Sequence, residues 1–149
     1  MLNSESRRQL EERKKLNSKP AYELEPVEAR IQFNKSKATF PPQIINIMSI
    51  EDRKISANNT EIGIRIFSDK EDTQQPLLVN FHGGGWVLGD LDADDSMCRK
   101  LAQLTGFKVI SVDYRLAPEY KFPTPLQDCY KSLIYFFEIH EEFNIDPNN

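Results

Sequence analysis

Residues 77–86 read LLVNFHGGGW, a short apolar run that ends in a histidine, three glycines and an aromatic residue. The run 77–81 predicts a β-strand covered on both faces, because such strands are apolar almost without interruption. Half of the six glycines of the chain stand directly after it. Adjacent glycines at the carboxyl end of a strand indicate backbone N–H groups that approach a ligand oxygen closely, where a Cβ would obstruct them.

In acyl transfer the oxygen held in this way is the developing oxyanion, and each donor aimed at it contributes on the order of 3–4 kcal/mol. The spacing of the glycines excludes two kinds of phosphate-binding loop. A P-loop is excluded because neither Gly85 nor Gly89 is followed by Gly-Lys-Ser/Thr. A dinucleotide-binding loop is excluded because Leu88 stands where G-x-G-x-x-G needs its third glycine. A plain tight turn without a ligand remains the alternative.

The sequence on either side of this loop predicts a β-α-β unit. A second apolar run at 108–112 matches the strand at 77–81, and a helix is expected between them. It begins near Asp92, Asp94 and Asp95 and ends at Gly106, which suits a left-handed cap. Its apolar face repeats at i, i+4 and i+7, at Met97, Leu101 and Leu104.

A further helix is predicted from Thr124, as N-cap, to about Phe143, with Asn144 as its stop. Its apolar positions are Leu126, Tyr130, Leu133 and Phe137. Upstream, β-branched residues from Ile44 to Ile50 and an alternating run at 61–67 predict two strands, and Asn58-Asn59 between them suggests a hairpin turn.

The first 40 residues mix charge with scattered apolar residues, and Pro20 and Pro26 divide them into short helical pieces. Such pieces cannot bury enough surface alone. Pro41-Pro42 closes the segment.

Late in the chain, His140 is expected to be a surface or helix-end residue rather than a catalytic one.

Bulk composition favours an ordinary globular protein, with 39% hydrophobic and 28% charged residues in 149. The net charge of −4 argues against nucleic acid or an anionic membrane as the main partner. No apolar leader and no stretch of roughly 20 apolar residues is found, so a cytoplasmic location is expected.

Cys98 and Cys129 lack metal-ligand spacing and are expected to be buried free thiols. No metal or cofactor is expected.

Residues 77–143 resemble the bacterial hormone-sensitive-lipase family of α/β-hydrolases. His-Gly-Gly-Gly after a buried strand matches the oxyanion motif of lipases and esterases. A second motif, DYRLAPE at 113–119, follows in register, and Phe122-Pro123 and Pro125–Asp128 lead into the next helix. The resemblance implies an α/β fold: residues 1–40 as an amino-terminal helical cap segment, and residues 41–149 as the first half of the hydrolase domain, with an antiparallel hairpin followed by parallel β-α-β.

The resemblance also implies roles for the loop residues. The N–H groups of Gly84 and Gly85 form two thirds of the oxyanion hole, and Gly83 shapes the loop. His82 supports the loop by hydrogen bonding and is not the general base. Trp86 lines the acyl pocket.

Two further features are expected next to the loop, an ion pair and two cis peptide bonds. Arg115 and Glu119 form either a partly buried ion pair beneath the loop or a solvated pair. The family resemblance further suggests cis peptide bonds at Ala117-Pro118 and Phe122-Pro123.

A nucleophile elbow, G-x-S-x-G, does not occur around any of the ten serines. The resemblance puts the elbow on a strand that follows the loop at 145–147. We therefore expect the chain to be an amino-terminal half that is inactive alone, with an open strand edge and the carboxyl-terminal half of the fold as its partner. The complete protein would be a serine carboxylesterase or lipase acting on small acyl esters. The alternatives are a non-catalytic small-ligand-binding protein of the same fold and an inactive truncated product.

Overall fold

A computed structural model describes residues 3–15, 18–39, 44–71 and 73–148. Its helices are α1 (Ser4–Lys15), α2 (Pro26–Thr39), α3 (Asp95–Thr105) and α4 (Thr124–Glu138), with 3₁₀ turns at Ala21–Glu23 and His140–Phe143. Its strands are β1 (Ser49–Ala57), β2 (Thr60–Ser68), β3 (Leu77–Phe81) and β4 (Lys108–Asp113). The helical pieces expected before residue 40 are present. Pro41-Pro42 lies outside the described residues, and the division into two segments there stays a prediction.

The four strands form one mixed sheet in the order β1-β2-β4-β3. The hairpin is confirmed: β1 and β2 pair antiparallel, and Asn58 and Asn59 have φ of 50° and 56°. Two consecutive residues with positive φ give the turn whose twist suits a two-residue hairpin. The expected strand start at Ile44 is wrong, because residues 44–48 precede the ladder, which begins at Ser49.

The β-α-β unit is also confirmed, and with it the α/β fold class. β3 and β4 pair in parallel, from Leu77 beside Lys108 to Phe81 beside Val112. The helix between them begins at Asp95, and Gly106 closes it with φ 67° and an N–H that donates to the Ala102 carbonyl. The left-handed cap therefore lies where the sequence predicted it.

The two helices cover opposite faces of the sheet, because side chains along a strand alternate between its faces. On β4, Ile110 and Val112 belong to the cluster that contains Phe136 of α4. Val109 belongs to the cluster that contains Cys98 and Ala102 of α3. The sheet is thus covered on both faces, as an apolar parallel strand requires.

The predicted helix faces are confirmed only in part. In α3, Cys98 and Ala102 are buried and Leu101 packs against their cluster, but Met97 and Leu104 are exposed. In α4 the side chains turned to the sheet include Cys129, Ser132 and Phe136. The apolar positions that the sequence predicted along α4 are all exposed: Leu126, Tyr130, Leu133 and Phe137. In each helix, small residues on the buried side let the helix approach the sheet closely.

The C-terminal end of α4 also differs from the prediction. The α-helix stops at Glu138, and a 3₁₀ turn continues from His140 to Phe143. Asn144 ends that turn with φ 49° in the left-handed region, which matches its predicted role as a stop.

β3 lies at the edge of the sheet, and all five of its residues are partly exposed. Just before it, Gln75 forms an isolated parallel bridge with Ile145. The Gln75 N–H donates to the Asn144 carbonyl at 3.0 Å, and the Asp146 N–H donates to the Gln75 carbonyl at 2.8 Å. The chain after α4 therefore starts to run alongside the free edge of β3.

No helix in the described part of the chain is long and apolar enough to span a bilayer. The cytoplasmic location stays a prediction. Cys98 and Cys129 are buried free thiols, as expected.

Candidate active site

The loop after β3 is a tight turn built on glycine. The N–H groups of Val87 and Leu88 both donate to the Gly84 carbonyl, at 3.2 and 3.0 Å. Gly84 has φ 137°, and a Cβ added there would lie 2.0 Å from the Leu88 carbonyl oxygen. Because that neighbour is backbone, it cannot swing aside, and only glycine fits.

Gly89 closes the other end of this turn, and the sequence analysis gave it no structural role. It has φ 106°, and a Cβ there would lie 2.1 Å from His82 Nδ1 and 2.8 Å from the Gly83 carbonyl oxygen. The signal that could have identified it was its distance of four residues from the glycine triplet, which suits a turn that returns onto its own start.

The N–H groups of Gly84 and Gly85 donate to no acceptor among the residues that the structure describes. Both residues have positive φ, 137° and 62°, and the internal hydrogen bonds of the turn use the Gly84 carbonyl rather than either N–H group. Two successive donors without a protein acceptor are what an oxyanion hole needs before its ligand is bound. The assignment of Gly84 and Gly85 to that role stays a prediction.

His82 is buried, with 2% of its surface exposed. Its ring stacks on Tyr114 at 4.4 Å between centroids, and its Nδ1 lies 2.9 Å from the Gly83 carbonyl oxygen. Since a carbonyl only accepts, Nδ1 carries the proton in that hydrogen bond. These contacts support the predicted part of His82 in holding the loop.

Tyr114 fixes the same histidine from the next strand end. Its hydroxyl donates to the His82 carbonyl at 2.5 Å. Burial raises the pKa of Tyr114 to about 12, so this donor stays protonated at neutral pH.

Trp86 is the aromatic residue of the loop and has φ 63°, a conformation that non-glycine residues rarely adopt. Its ring meets the edge of Tyr114 at 5.3 Å, and 45% of its surface is exposed. The Ala117 N–H donates to its carbonyl at 2.8 Å, which fixes the backbone in this conformation. The predicted role of Trp86 in an acyl pocket is not tested by these contacts.

The expected pair of Arg115 and Glu119 is wrong. Arg115 instead binds Asp128 through Nε at 2.8 Å and Nη2 at 2.7 Å, and its backbone N–H also donates to that carboxylate. Asn58 of the hairpin turn is a fourth donor, at 2.7 Å. Burial would raise the pKa of Asp128, but the hydrogen bonds from Arg115 and Asn58 outweigh it and lower the pKa. A fully buried carboxylate thus joins the hairpin, the loop after β4 and helix α4.

Glu119 is paired with Arg30 of α2, a residue that the sequence analysis did not single out. Arg30 Nη2 lies 2.7 Å from Glu119 Oε2. The Arg30 guanidinium holds the pKa of Glu119 at about 2, so the pair is ionised at neutral pH. A basic residue on a helix surface gives no signal of its distant partner, because that partner lies 89 positions away.

The peptide bonds Ala117-Pro118 and Phe122-Pro123 are both cis, as predicted. His140 lies at the end of the α4 region and its Nδ1 contacts the Phe137 carbonyl oxygen at 3.0 Å, so it is a helix-end residue as expected. Within the described ranges, no group of three or more His, Cys, Asp or Glu side chains could hold a metal ion.

Residues 78–149 match a family model described as alpha/beta hydrolase fold. The chain belongs to the α/β-hydrolase family. This confirms the resemblance that residues 77–143 suggested.

Among the relatives of this α/β-hydrolase chain is an arylesterase of Saccharolobus solfataricus, 42% identical over 97 residues, or 65% of the chain and 32% of that protein. An ethyl acetate hydrolase of Pseudomonas putida is 34% identical over 131 residues, or 85% of the chain and 41% of that protein. A solved hyperthermophilic esterase from Pyrobaculum calidifontis superposes with a TM-score of 0.87 at 31% identity, covering 97% of the chain and 46% of that structure. The chain thus spans less than half the length of each of these proteins.

Proposed function

We propose that this chain supplies the oxyanion hole of a serine carboxylesterase that acts on small acyl esters. The observation that supports this proposal is the pair of N–H groups at Gly84 and Gly85, which have no acceptor among the described residues. They follow a parallel strand in an α/β-hydrolase whose relatives include an arylesterase and an ethyl acetate hydrolase. We call the chain together with the remainder of the fold the complete hydrolase.

In the complete hydrolase, a serine outside residues 1–149 attacks the ester carbonyl carbon. As the Oγ–carbon bond forms, the carbonyl oxygen becomes an oxyanion and accepts hydrogen bonds from Gly84 and Gly85. A general base outside residues 1–149 takes the serine proton and gives it to the alcohol as the ester C–O bond breaks, which leaves an acyl-enzyme. Water then attacks the same carbon and loses a proton to that base, and the Oγ–carbon bond breaks to release the acid and restore the serine. The two donors thus act in acylation and again in deacylation.

The remainder of the fold is the proposed partner of this chain. The bridge between Gln75 and Ile145 supports a parallel strand continuing along the free edge of β3. Alternate residues of a strand direct their backbone groups to the same side, so Leu77, Val79 and Phe81 would pair as Gln75 does. The apolar residues exposed on α4, such as Tyr130 and Phe137, offer a second surface that the same partner would cover.

Residues 1–149 alone are therefore expected to form a loosely packed or self-associating species. A domain keeps only about 5–15 kcal/mol of net stability, and the chain alone leaves a strand edge and one apolar helix face open. Analytical ultracentrifugation with a thermal melt measures this. Addition of the remainder of the fold should restore a single species with a cooperative transition. A monomer of 1–149 that melts cooperatively above about 50 °C would contradict the expectation.

The proposed activity is tested on the complete hydrolase with p-nitrophenyl acetate and p-nitrophenyl butyrate. We expect turnover, with a burst of p-nitrophenol that titrates with protein, and a covalent adduct of a fluorophosphonate on a serine outside residues 1–149. The matched control is the same protein with that serine replaced by alanine. Tight binding of an ester or small acid without any turnover would instead favour the non-catalytic binding protein.

A further inference from the structure

Helix α2 contacts the oxyanion loop through one guanidinium. Arg30 Nε donates to the Val87 carbonyl at 2.9 Å, and Nη2 donates to the Ala117 carbonyl at 2.7 Å. The same group binds Glu119 with Nη1 and Nη2, each at 2.7 Å. One side chain of the amino-terminal segment thus connects to two separate loops of the hydrolase domain.

Both carbonyls that Arg30 binds are coupled to the loop backbone. Val87 is inside the turn, since its N–H donates to the Gly84 carbonyl at 3.2 Å. Ala117 is joined to it from outside, since its N–H donates to the Trp86 carbonyl at 2.8 Å. Displacement of either carbonyl would therefore move the peptide units that carry the N–H groups of Gly84 and Gly85.

A second contact from the same helix fixes the far end of the loop. Lys37 Nζ lies 2.7 Å from both carboxylate oxygens of Asp90. Arg30 and Lys37 are seven residues apart, which is two helical turns, so they lie on one side of α2. The helix thus contacts the turn at Val87 and the segment just after it at Asp90.

We infer that Arg30 is a positioning residue of the oxyanion hole, through which helix α2 sets the direction of the Gly84 and Gly85 N–H groups. The inference rests on the proposed function of those glycines. The arginine is suited to this because its planar fork can bind a carboxylate with two N–H groups and still direct others to carbonyls, which a lysine ammonium cannot do. Arg30 itself touches no reacting atom.

The test is Arg30→Met in the complete hydrolase, which keeps an apolar stem and removes every donor. Misplacement of the loop should lower kcat, by up to roughly 100-fold, and change KM little, because the lost alignment matters most in the transition state. Binding of a trifluoromethyl ketone, which forms a tetrahedral adduct with the serine, should weaken in parallel with kcat/KM. Arg30→Lys should recover part of the loss.

The matched control is Arg99→Met. Arg99 of α3 also binds a carboxylate, Asp95, and a backbone carbonyl, that of Ile45, and none of its hydrogen bonds to described residues reaches the loop. We expect Arg99→Met to lower the melting temperature without a change in kcat. Equal kcat values for Arg30→Met and Arg99→Met would overturn the inference. If Arg30→Met does not fold, Arg30→Lys and Arg99→Lys are compared by the same criterion. Absence of ester hydrolysis in the unmodified protein would refute the proposed function instead.

Discussion

Gly84→Ala in the complete hydrolase is expected to lower kcat by roughly 100-fold or more. The added methyl group would lie 2.0 Å from the carbonyl oxygen and 2.6 Å from the carbonyl carbon of Leu88. Neither atom belongs to a flexible side chain, and φ at this position is 137°. The turn must open, which tilts the Gly84 N–H away from the developing oxyanion. Initial rates with p-nitrophenyl acetate, together with circular dichroism to confirm folding, measure the effect.

The neighbouring glycines provide a graded comparison for this prediction. A Cβ at Gly83 meets nothing within 4 Å and no positive φ is required there, so Gly83→Ala should lose far less activity. A Cβ at Gly85 also has open space, but φ is 62°, so Gly85→Ala carries a conformational penalty of about 1 kcal/mol and should lie between the two. Equal kcat values for Gly84→Ala and Gly83→Ala would remove Gly84 from the oxyanion hole.

Residues 1–149 alone are expected to show no serine-hydrolase turnover. None of the ten serines lies in a G-x-S-x-G elbow. The two thiols are buried, and burial raises the pKa of Cys98 to about 12 and that of Cys129 to about 11, so both are protonated at neutral pH. Oxyanion donors without a nucleophile cannot form the acyl-enzyme.

The measurement for the isolated chain is burst titration with p-nitrophenyl acetate and mass spectrometry after treatment with a fluorophosphonate. The complete hydrolase assayed at the same concentration is the positive control. A burst that scales with the concentration of 1–149, accompanied by a covalent adduct, would refute the prediction.

The sequence predicted the sheet elements well where the signal was local. The asparagine pair at 58–59 supplies its own positive φ values, and Gly106 supplies its own cap, so both could be located without any knowledge of distant contacts. The apolar runs of β3 and β4 are equally local signals. By contrast, Ile44 and Ile47 are β-branched yet lie outside the ladder, because strand limits depend on where a partner begins.

Helix faces could be predicted only in part, and ion pairs not at all, because both depend on packing. In α4 the predicted apolar positions are large residues such as Phe137, which are exposed, whereas the side that contacts the sheet includes Ser132 and Cys129. The sequence suggested Glu119, four positions away, as the partner of Arg115. In the fold, Arg115 instead forms two side-chain hydrogen bonds with the buried carboxylate of Asp128. Arg30 gave no signal at all, since its three partners are brought to it only by the fold.

Trp86 is the one tryptophan of the chain. It stands in the loop after β3, half-exposed beside Tyr114, so the indole emission of this chain comes from that loop rather than from the core. Excitation at the red edge of the indole band therefore gives a spectroscopic probe of the loop without any added label. The wavelength of maximum emission should shift when a ligand covers the ring, and its anisotropy should fall when the contact with helix α2 is lost.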